Sequence, residues 1–235
     1  MGLAARNPRV IGAARLHRPD ERRATGLTLL EGPRLVAEAE ANGVVIRDKF
    51  TLDESGTQVS QAALERLSST RTPQSPVAVI EIPQRPFTPG RSVLVAWDIS
   101  DPGNLGAMIR SAAGFGLDFM TTEDSVDLWS PKVLRAAAGG HFHTGLGPAV
   151  LDGLTQVAAV QQGGVHPRRV PPGQVAVLIG SEAHGLPSEI VAAAHHRVSI
   201  PMPGGIESLN AAAAAAILCY EVAERNLSDV LSESS

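Results

Sequence analysis

The sequence predicts an α/β fold: an open parallel sheet in the C-terminal part, preceded by a smaller α/β domain. Short apolar runs such as SVLVAWDI (92–99) and VAVLIG (175–180) are typical of strands buried on both faces. Helical stretches alternate with them, and SPKVLRAAAG (130–139) shows a serine cap followed by proline. Five prolines between residues 73 and 89 indicate a linker between the two parts.

The first part, residues 1–85, alternates between helices and strands and is followed by a linker at 86–91. An Asn-Pro pair at 7–8 is a favourable helix start, and an Asn-Gly pair at 42–43 is a favourable stop. In order, we expect a helix from 7 to about 17, a strand at 27–32, a helix at 33–41, a strand at 44–52, a helix at 60–69 and a strand at 77–82.

The second part, residues 92–235, continues the alternation. In order, we expect a strand at 92–99, a helix at 104–116, strands and helices at 119–124, 130–139, 175–180 and 197–202, and a final helix from Leu209 to about Arg225. The stretch between Pro148 and Val175 is short for a helix, a strand and a loop, so we expect one of these elements to be reduced there.

Composition narrows the class of protein. The chain has 235 residues, 43% of them apolar and 19% charged, which is ordinary for a globular protein. Its single cysteine, Cys219, excludes an internal disulfide and favours a reducing cytoplasm. No Cys/His cluster has zinc-ligand spacing, so we expect no metal. No apolar run has membrane-spanning length, and the N-terminus lacks the apolar core of a signal peptide.

Positive charge is concentrated near the N-terminus although the net charge of the chain is -4. Residues 1–23 contain six arginines and only two carboxylates. By itself such a segment is equally well explained as a solvated helix face or as a surface for phosphate groups, which the planar guanidinium suits. The arginines are Arg6, Arg9, Arg15, Arg18, Arg22 and Arg23.

Three loops follow predicted buried strands of the second part, and such strand-end loops carry ligands in open α/β sheets. They are DPGNLGAMIR (101–110), IGSEAHGLP (179–187) and IPMPGGIESLN (200–210). Asn104 and Arg110 are six residues apart and need not share a helix face. Ser208 is well placed to cap a helix that begins at Leu209. None of the loops has the glycine spacing of a dinucleotide-binding turn.

Together the three loops resemble the motifs of the SpoU/TrmH branch of the SPOUT methyltransferases. The first motif combines an Asn, a Gly and an Arg six residues after the Asn; the second is a Gly-x-Glu-x-x-Gly-Leu turn; the third is Ile-Pro-Met followed by Ser-Leu-Asn and a helix of small residues. SPKVLRAAAGGHF is similar to the segment between the first two motifs, except that Ala137 stands where a serine is usual. The matching residues are Asn104, Gly106, Arg110, Gly180, Glu182, Gly185, Leu186, Ile200 to Met202 and Ser208 to Asn210.

The resemblance implies a C-terminal domain folded as a deep trefoil knot that binds S-adenosyl-L-methionine and methylates ribose 2′-hydroxyls of RNA. It assigns the cofactor contacts to Leu178, Gly180, Ile200, Met202, Ser208, Leu209 and Asn210. It assigns the catalytic set to Asn104, Arg110, Glu182, Ser208 and Asn210. Arginine is a poor base because it stays protonated, so we expect Arg110 to orient phosphate and stabilise developing negative charge.

The first part resembles the ribosomal-protein-L30e-like substrate-binding domain that precedes many of these enzymes. This favours RNA contact for the six N-terminal arginines and ribosomal RNA over transfer RNA as substrate. The family also implies a homodimer. Two other classes stay open: a non-catalytic relative that binds RNA or cofactor, and a nucleotide-dependent oxidoreductase. The complete set of motif residues argues against the first, and the missing glycine fingerprint argues against the second.

Overall fold

The computed structural model describes the backbone of residues 2–170 and 172–233 and the side chains up to residue 226. The chain forms two compact units. The first contains the residues up to Gln84 together with Asp127–Phe142, and the second contains Arg85–Val126 and the chain from His143 onwards. The sequence led us to expect a second domain that runs without interruption from residue 92. In the structure, residues 127–142 pack with the first unit instead. The L30e-like domain stays a prediction.

Within the described residues the chain forms eight α-helices and ten β-strands. The helices are α1 (Pro8–Ala14), α2 (Pro19–Thr25), α3 (Pro33–Ala41), α4 (Gln61–Leu67), α5 (Pro102–Gly114), α6 (Pro131–Ala137), α7 (Ser188–Ala193) and α8 (Ala211–Glu233). The strands are β1 (Leu27–Glu31), β2 (Ile46–Thr51), β3 (Thr57–Gln58), β4 (Val77–Glu81), β5 (Val93–Trp97), β6 (Asp118–Thr121), β7 (Leu146–Pro148), β8 (Thr155–Ala159), β9 (Val175–Gly180) and β10 (His196–Val198). Three short 3-10 turns lie at Arg15–His17, Gly140–Phe142 and Pro167–Arg169.

Most expected elements are present, and the exceptions have local causes. The first helix changes to a 3-10 turn after Ala14, and Pro19 then starts a helix that the sequence pattern did not predict. β10 ends at Val198 rather than at residue 202. Pro201 has no backbone N–H, so it could not donate a hydrogen bond to a neighbouring strand. Between 148 and 175 the strand β8 is retained, while the helix is reduced to the 3-10 turn Pro167–Arg169.

The first unit is built on a mixed sheet of strand order β1-β4-β2-β3. Leu29 and Leu30 are consecutive, yet they belong to different apolar clusters, because successive side chains of a strand point to opposite faces. Leu29 packs with residues of α1 and α4, and Leu30 packs with residues of α3 and α6. Both faces of this sheet are therefore covered.

Polar contacts tie the segment Asp127–Phe142 into the first unit. The buried Arg22 donates to the carboxylate of Asp127 at 2.5 Å, and Thr28 donates its hydroxyl to the Trp129 carbonyl at 2.7 Å. These residues hold the start of the segment against α2 and β1.

The second unit is built on a six-stranded sheet of order β10-β8-β9-β5-β6-β7, and every pairing in it is parallel. The expected open parallel sheet is thus confirmed, whereas the trefoil knot stays a prediction. Because the strands are parallel, the loops that follow β5, β9 and β10 all leave the sheet at its carboxyl edge. These are the three loops that carry the predicted motifs.

Candidate functional site

A chain of hydrogen bonds joins the three motif loops at the carboxyl edge of the second sheet. Asn210 donates Nδ2–H to Asn104 Oδ1 at 2.9 Å, and Asn104 donates its own Nδ2–H to the carboxylate of Glu182. Asn104 is held in place by Asp101, whose carboxylate accepts from the Asn104 backbone N–H at 2.7 Å and caps α5. Each loop therefore contributes one member of this Asn210–Asn104–Glu182 network.

The cap of α8 is Asn210, which corrects the expectation for Ser208. Asn210 Oδ1 accepts from the backbone N–H groups of Ala212 at 2.9 Å and Ala213 at 3.2 Å, and α8 begins at Ala211 rather than at Leu209. The amide side chain of Asn210 thus uses its oxygen to start the helix and its nitrogen to reach Asn104. Ser208 lies exposed two residues before the cap.

A pocket of about 280 Å³ opens beside this network. Its volume is near the lower end of the roughly 300–1,000 Å³ range typical of small-molecule sites. Apolar side chains form its walls, and polar groups of Glu182, Ser208 and Asn210 line it as well. The larger apolar residues are Val160, Ile179, Val198, Ile200, Met202, Leu209 and Leu218.

Six of the seven predicted cofactor residues line this pocket, and Leu178 does not. Leu178 is fully buried in a cluster with Val93 and Val95, on one face of the sheet. Its neighbour Ile179 faces the pocket instead, as the alternation of a strand requires. The sequence pattern also gave no signal for Val198 and the segment 159–161, because neither lies in a recognised motif. The six are Gly180, Ile200, Met202, Ser208, Leu209 and Asn210.

The alanine run at the start of α8 has a role at this pocket. Ala211 and Ala214 line the pocket, together with Leu218 one turn further along the helix. Ala215, on an adjacent position, is fully buried in the protein. The small side chains therefore leave space for a ligand against one side of α8, where longer side chains would fill it.

Gly180 is required by the turn that follows β9. A Cβ atom at this position would lie 2.1 Å from the carbonyl carbon of Gly185, which is closer than any real contact. Gly185 itself has a φ of +68° and donates its N–H to the Ser181 carbonyl at 2.8 Å. The two glycines thus close the turn on itself and place Glu182 at its tip.

Two members of the predicted catalytic set lie outside the network: Ser208, which lines the pocket, and Arg110, which does not. Arg110 lies exposed on α5, six residues after Asn104, and that separation turns a helix by roughly 600°, so the two side chains leave it in different directions. Among the described residues no hydrogen bond or ion pair is recorded for its guanidinium.

Five of the six N-terminal arginines are exposed on the first unit, and Arg22 is the exception. Its side chain is only 3% exposed, and it donates to Asp127 and to the Leu16 carbonyl. Arg22 therefore has a structural role and is withdrawn from the RNA-facing set. Two exposed members also have local carboxylate partners: Arg9 pairs with Asp48, and Arg18 pairs with Asp20.

Neither a metal site nor a membrane-spanning helix is found among the described residues. No group of three or more His, Cys, Asp or Glu side chains in them is arranged to hold a metal ion. No helix in the same part of the chain combines the length and the hydropathy needed to cross a bilayer.

A parallel sheet with an apolar pocket and convergent polar groups at its carboxyl edge defines the second unit as a small-molecule-binding α/β domain. The model of the SpoU rRNA Methylase family matches residues 91–220, and the chain belongs to this family. The resemblance drawn from the three motifs is thereby confirmed, and so are the methyltransferase class and the α/β fold of that class.

Relatives match over nearly the whole chain. The 23S rRNA (guanosine(2553)-2′-O)-methyltransferase RlmP of Bacillus subtilis (strain 168) is 32% identical over 241 residues, which cover 93% of this chain and 97% of RlmP. A solved RNA 2′-O ribose methyltransferase is 30% identical, with a TM-score of 0.82 over 97% of this chain and 100% of that one. The SpoU methyltransferase AviRb of Streptomyces viridochromogenes, solved in complex with the cofactor AdoMet, is 25% identical, with a TM-score of 0.84 over 95% and 99% of the two chains.

Proposed function

We propose that this protein transfers the methyl group of S-adenosyl-L-methionine to a ribose 2′-hydroxyl of ribosomal RNA. The observation that carries the proposal is the Asn210–Asn104–Glu182 network, which brings one polar side chain from each motif loop to the edge of the pocket. The names of the relatives support ribosomal RNA as the substrate class. An enzyme acting on ribosomal RNA in a bacterium would work in the cytoplasm.

The pocket fits the proposed cofactor. Its apolar walls suit a purine ring, and Ala211 and Ala214 leave room for the ring beside α8. The polar groups of Glu182, Ser208 and Asn210 suit the ribose and the amino-acid portion. When bound there, S-adenosyl-L-methionine supplies an electrophilic methyl group on a sulfonium centre.

The residues of the chain would align the ribose hydroxyl and stabilise the charge that develops on its oxygen. A 2′-hydroxyl is a weak nucleophile at neutral pH, so alignment and charge stabilisation carry much of the rate enhancement. Arg110 is exposed and has no recorded partner within the described residues, so its planar guanidinium suits a phosphate and an alkoxide-like oxygen. The network would fix the positions of Glu182 and of the loop that precedes α8.

The first unit would hold the body of the RNA. Arg6, Arg9, Arg15, Arg18 and Arg23 remain exposed there, and guanidinium groups bind phosphate in a two-point fashion. Arg6, Arg15 and Arg23 have no recorded carboxylate partner among the described residues, so we expect them to contribute most. Arg22 is not included in this set, because its side chain is buried in the first unit.

An apolar surface on the second unit supports a homodimer. Phe115 at the end of α5 and Tyr220 on α8 are both partly exposed and form an edge-to-face ring pair with centroids 5.8 Å apart. Ile217, one turn before, is 38% exposed. Exposed aromatic groups beside aliphatic ones are typical of subunit interfaces. A Tyr220→Asp variant that sediments as the wild type does would contradict this surface.

The function is tested by incubating the purified protein with ribosomal RNA and S-adenosyl-L-methionine and mapping 2′-O-methyl positions. We expect one modified position in ribosomal RNA and none in transfer RNA. Arg110→Ala should reduce methyl transfer by about 10²-fold, the scale of losing one transition-state donor. The affinity for S-adenosylhomocysteine, measured by calorimetry, should be unchanged, since Arg110 does not line the pocket. Near-normal turnover of this variant would refute the role of Arg110.

A further inference from the structure

The second unit carries a cluster of basic side chains that the proposed chemistry does not use. Its members are contributed by two segments, VHPRR (165–169) and HHR (195–197). The five members are exposed residues, and we name them the outer-edge strip: His166, Arg168, Arg169, His195 and Arg197.

Backbone hydrogen bonds bring the two segments together at the outer edge of the sheet. Val165 donates its N–H to the Arg197 carbonyl at 2.8 Å, and Ser199 donates to the Val165 carbonyl at 3.0 Å. Val165 thereby pairs in parallel with Val198 of β10, the edge strand. The reduced helix between 148 and 175 is replaced here by a short pairing segment and a 3-10 turn, which place the basic residues beside β10.

The fold holds four of these side chains by their inner nitrogen. Arg168 donates Nε–H to the Glu221 carboxylate at 3.2 Å, and Arg197 donates Nε–H to the Val191 carbonyl at 3.1 Å. Each contact uses the Nε–H and leaves N–H donors of the two terminal NH₂ groups for a further acceptor.

The two imidazoles are anchored in the same way. His166 Nδ1 accepts from the Arg168 backbone N–H at 3.2 Å, and His195 Nδ1 accepts from the Gln156 backbone N–H at 3.1 Å. A ring that accepts at Nδ1 carries its proton at Nε2 when it is neutral, so each imidazole presents an N–H donor at its outer end.

The fold therefore holds four of the five side chains of the strip before any ligand binds, and Arg169 is the member without such an anchor. The strip carries three guanidinium groups, and the carboxylate of Glu221 contacts one of them, that of Arg168. Such a set of donors matches phosphate oxygens, which only accept hydrogen bonds and are negatively charged. The strip approaches the pocket where Val165 pairs with Val198, because Val198 is a pocket-lining residue, while the side chain of Arg197, next to Val198 in β10, points to the opposite face of the sheet.

We propose that the outer-edge strip binds the phosphate backbone of the RNA substrate, as a second RNA contact on the second unit. This inference depends on the proposed function and adds a specific surface to it. A nucleotide whose ribose enters the pocket would have its neighbouring phosphates within reach of the 165–169 segment, which at Val165 lies about one strand spacing of 4.8 Å from Val198. Fixed donors favour binding because less side-chain freedom is lost on contact.

The test compares RNA binding by two strip variants and a matched control. Arg168→Gln/Arg169→Gln removes two positive charges from the strip, and Arg169→Glu reverses one charge whose side chain has no recorded partner in the described part of the chain. The control, Arg47→Gln/Lys49→Gln, removes two positive charges from β2 of the first unit, where each is paired with a carboxylate. Binding of transcribed 23S ribosomal RNA is measured over a series of salt concentrations.

We expect both strip variants to bind this RNA about tenfold or more weakly than the wild type. The slope of log K against log salt should fall by about 0.7 to 0.9 for each phosphate contact removed. The control should keep the wild-type slope, and calorimetric affinity for S-adenosylhomocysteine and the melting temperature should be unchanged in Arg169→Glu.

The possible failures are distinguishable. If the wild type methylates ribosomal RNA but both strip variants keep its affinity and salt slope, the strip is not an RNA contact and the proposed function stands. If the wild type neither binds nor methylates this RNA, the proposed function and the strip both fall.

Discussion

Asn210 has two separable tasks in this structure, capping α8 and donating to Asn104, and substitutions can remove one without the other. Asn210→Asp keeps an oxygen for the N–H groups of Ala212 and Ala213, and aspartate caps helices as well as asparagine does. The substitution removes the N–H group that residue 210 donates to Asn104. Asn104 must then turn its own amide N–H towards the new carboxylate, and away from Glu182.

The magnitude follows from the bond that is lost. A hydrogen bond to a carboxylate contributes about 1.5–3 kcal/mol, so misaligning Glu182 should lower kcat for methyl transfer by about 10- to 100-fold. The free energy of unfolding of Asn210→Asp should stay within about 0.5 kcal/mol of the wild type, because the cap is intact. Asn210→Ala loses cap and donor together, and should also lose about 1 kcal/mol of stability.

Ser208→Ala is the matched control for the cap. Ser208 lies outside the cap position, so its truncation should leave the free energy of unfolding unchanged in urea titrations. Equal destabilisation by Ser208→Ala and Asn210→Ala would refute the assignment of the cap. Full methyl transfer by Asn210→Asp would refute the role of the network.

Four further substitutions test the pocket, the first unit and a buried histidine. Ala214→Leu should fill the pocket beside α8 and lower S-adenosylhomocysteine affinity at least tenfold in calorimetry, with the melting temperature retained. Asp127→Ala should cost about 3–5 kcal/mol in urea titrations by leaving the guanidinium of Arg22 buried and unpaired, and Arg22→Met in the same chain should recover much of it. Burial lowers the pKa of His141 to about 4. As pH falls, the imidazole is therefore protonated in the unfolded chain before it is protonated in the folded chain. Stability present above about pH 6.5 should fall by up to about 3 kcal/mol as pH drops towards 4, and His141→Gln should flatten that part of the profile.

Local sequence signals were sufficient for most strands and helices of this fold. β9 is a continuous apolar run because it is buried on both faces, and α3 is bounded by Pro33 and by an Asn-Gly pair. α2 was missed because its start, after Arg18, has a proline but no capping side chain. The start of α8 was misplaced by two residues because Ser208 and Asn210 are equally good caps in sequence, and only the contacts with Ala212 and Ala213 distinguish them.

The candidate site was predicted to the level of loops and motif residues, but its connections were not. Nothing in the sequence indicates that Asn104 stands between Asn210 and Glu182, since these residues are separated by 106 and 78 positions. Nor does it show that Ile179 rather than Leu178 faces the pocket, because both are apolar and either face of a parallel sheet can be covered.

Sequence by itself therefore determined the α/β class, the parallel sheet and the family, because these depend on periodicity, caps and motifs that lie within a few residues of each other. The tertiary structure alone decided which arginine is buried against Asp127, which asparagine caps α8, and which face of β9 lines the pocket. These depend on contacts between residues far apart in the chain, and burial and hydrogen-bond geometry arise only when the sheet brings those residues together.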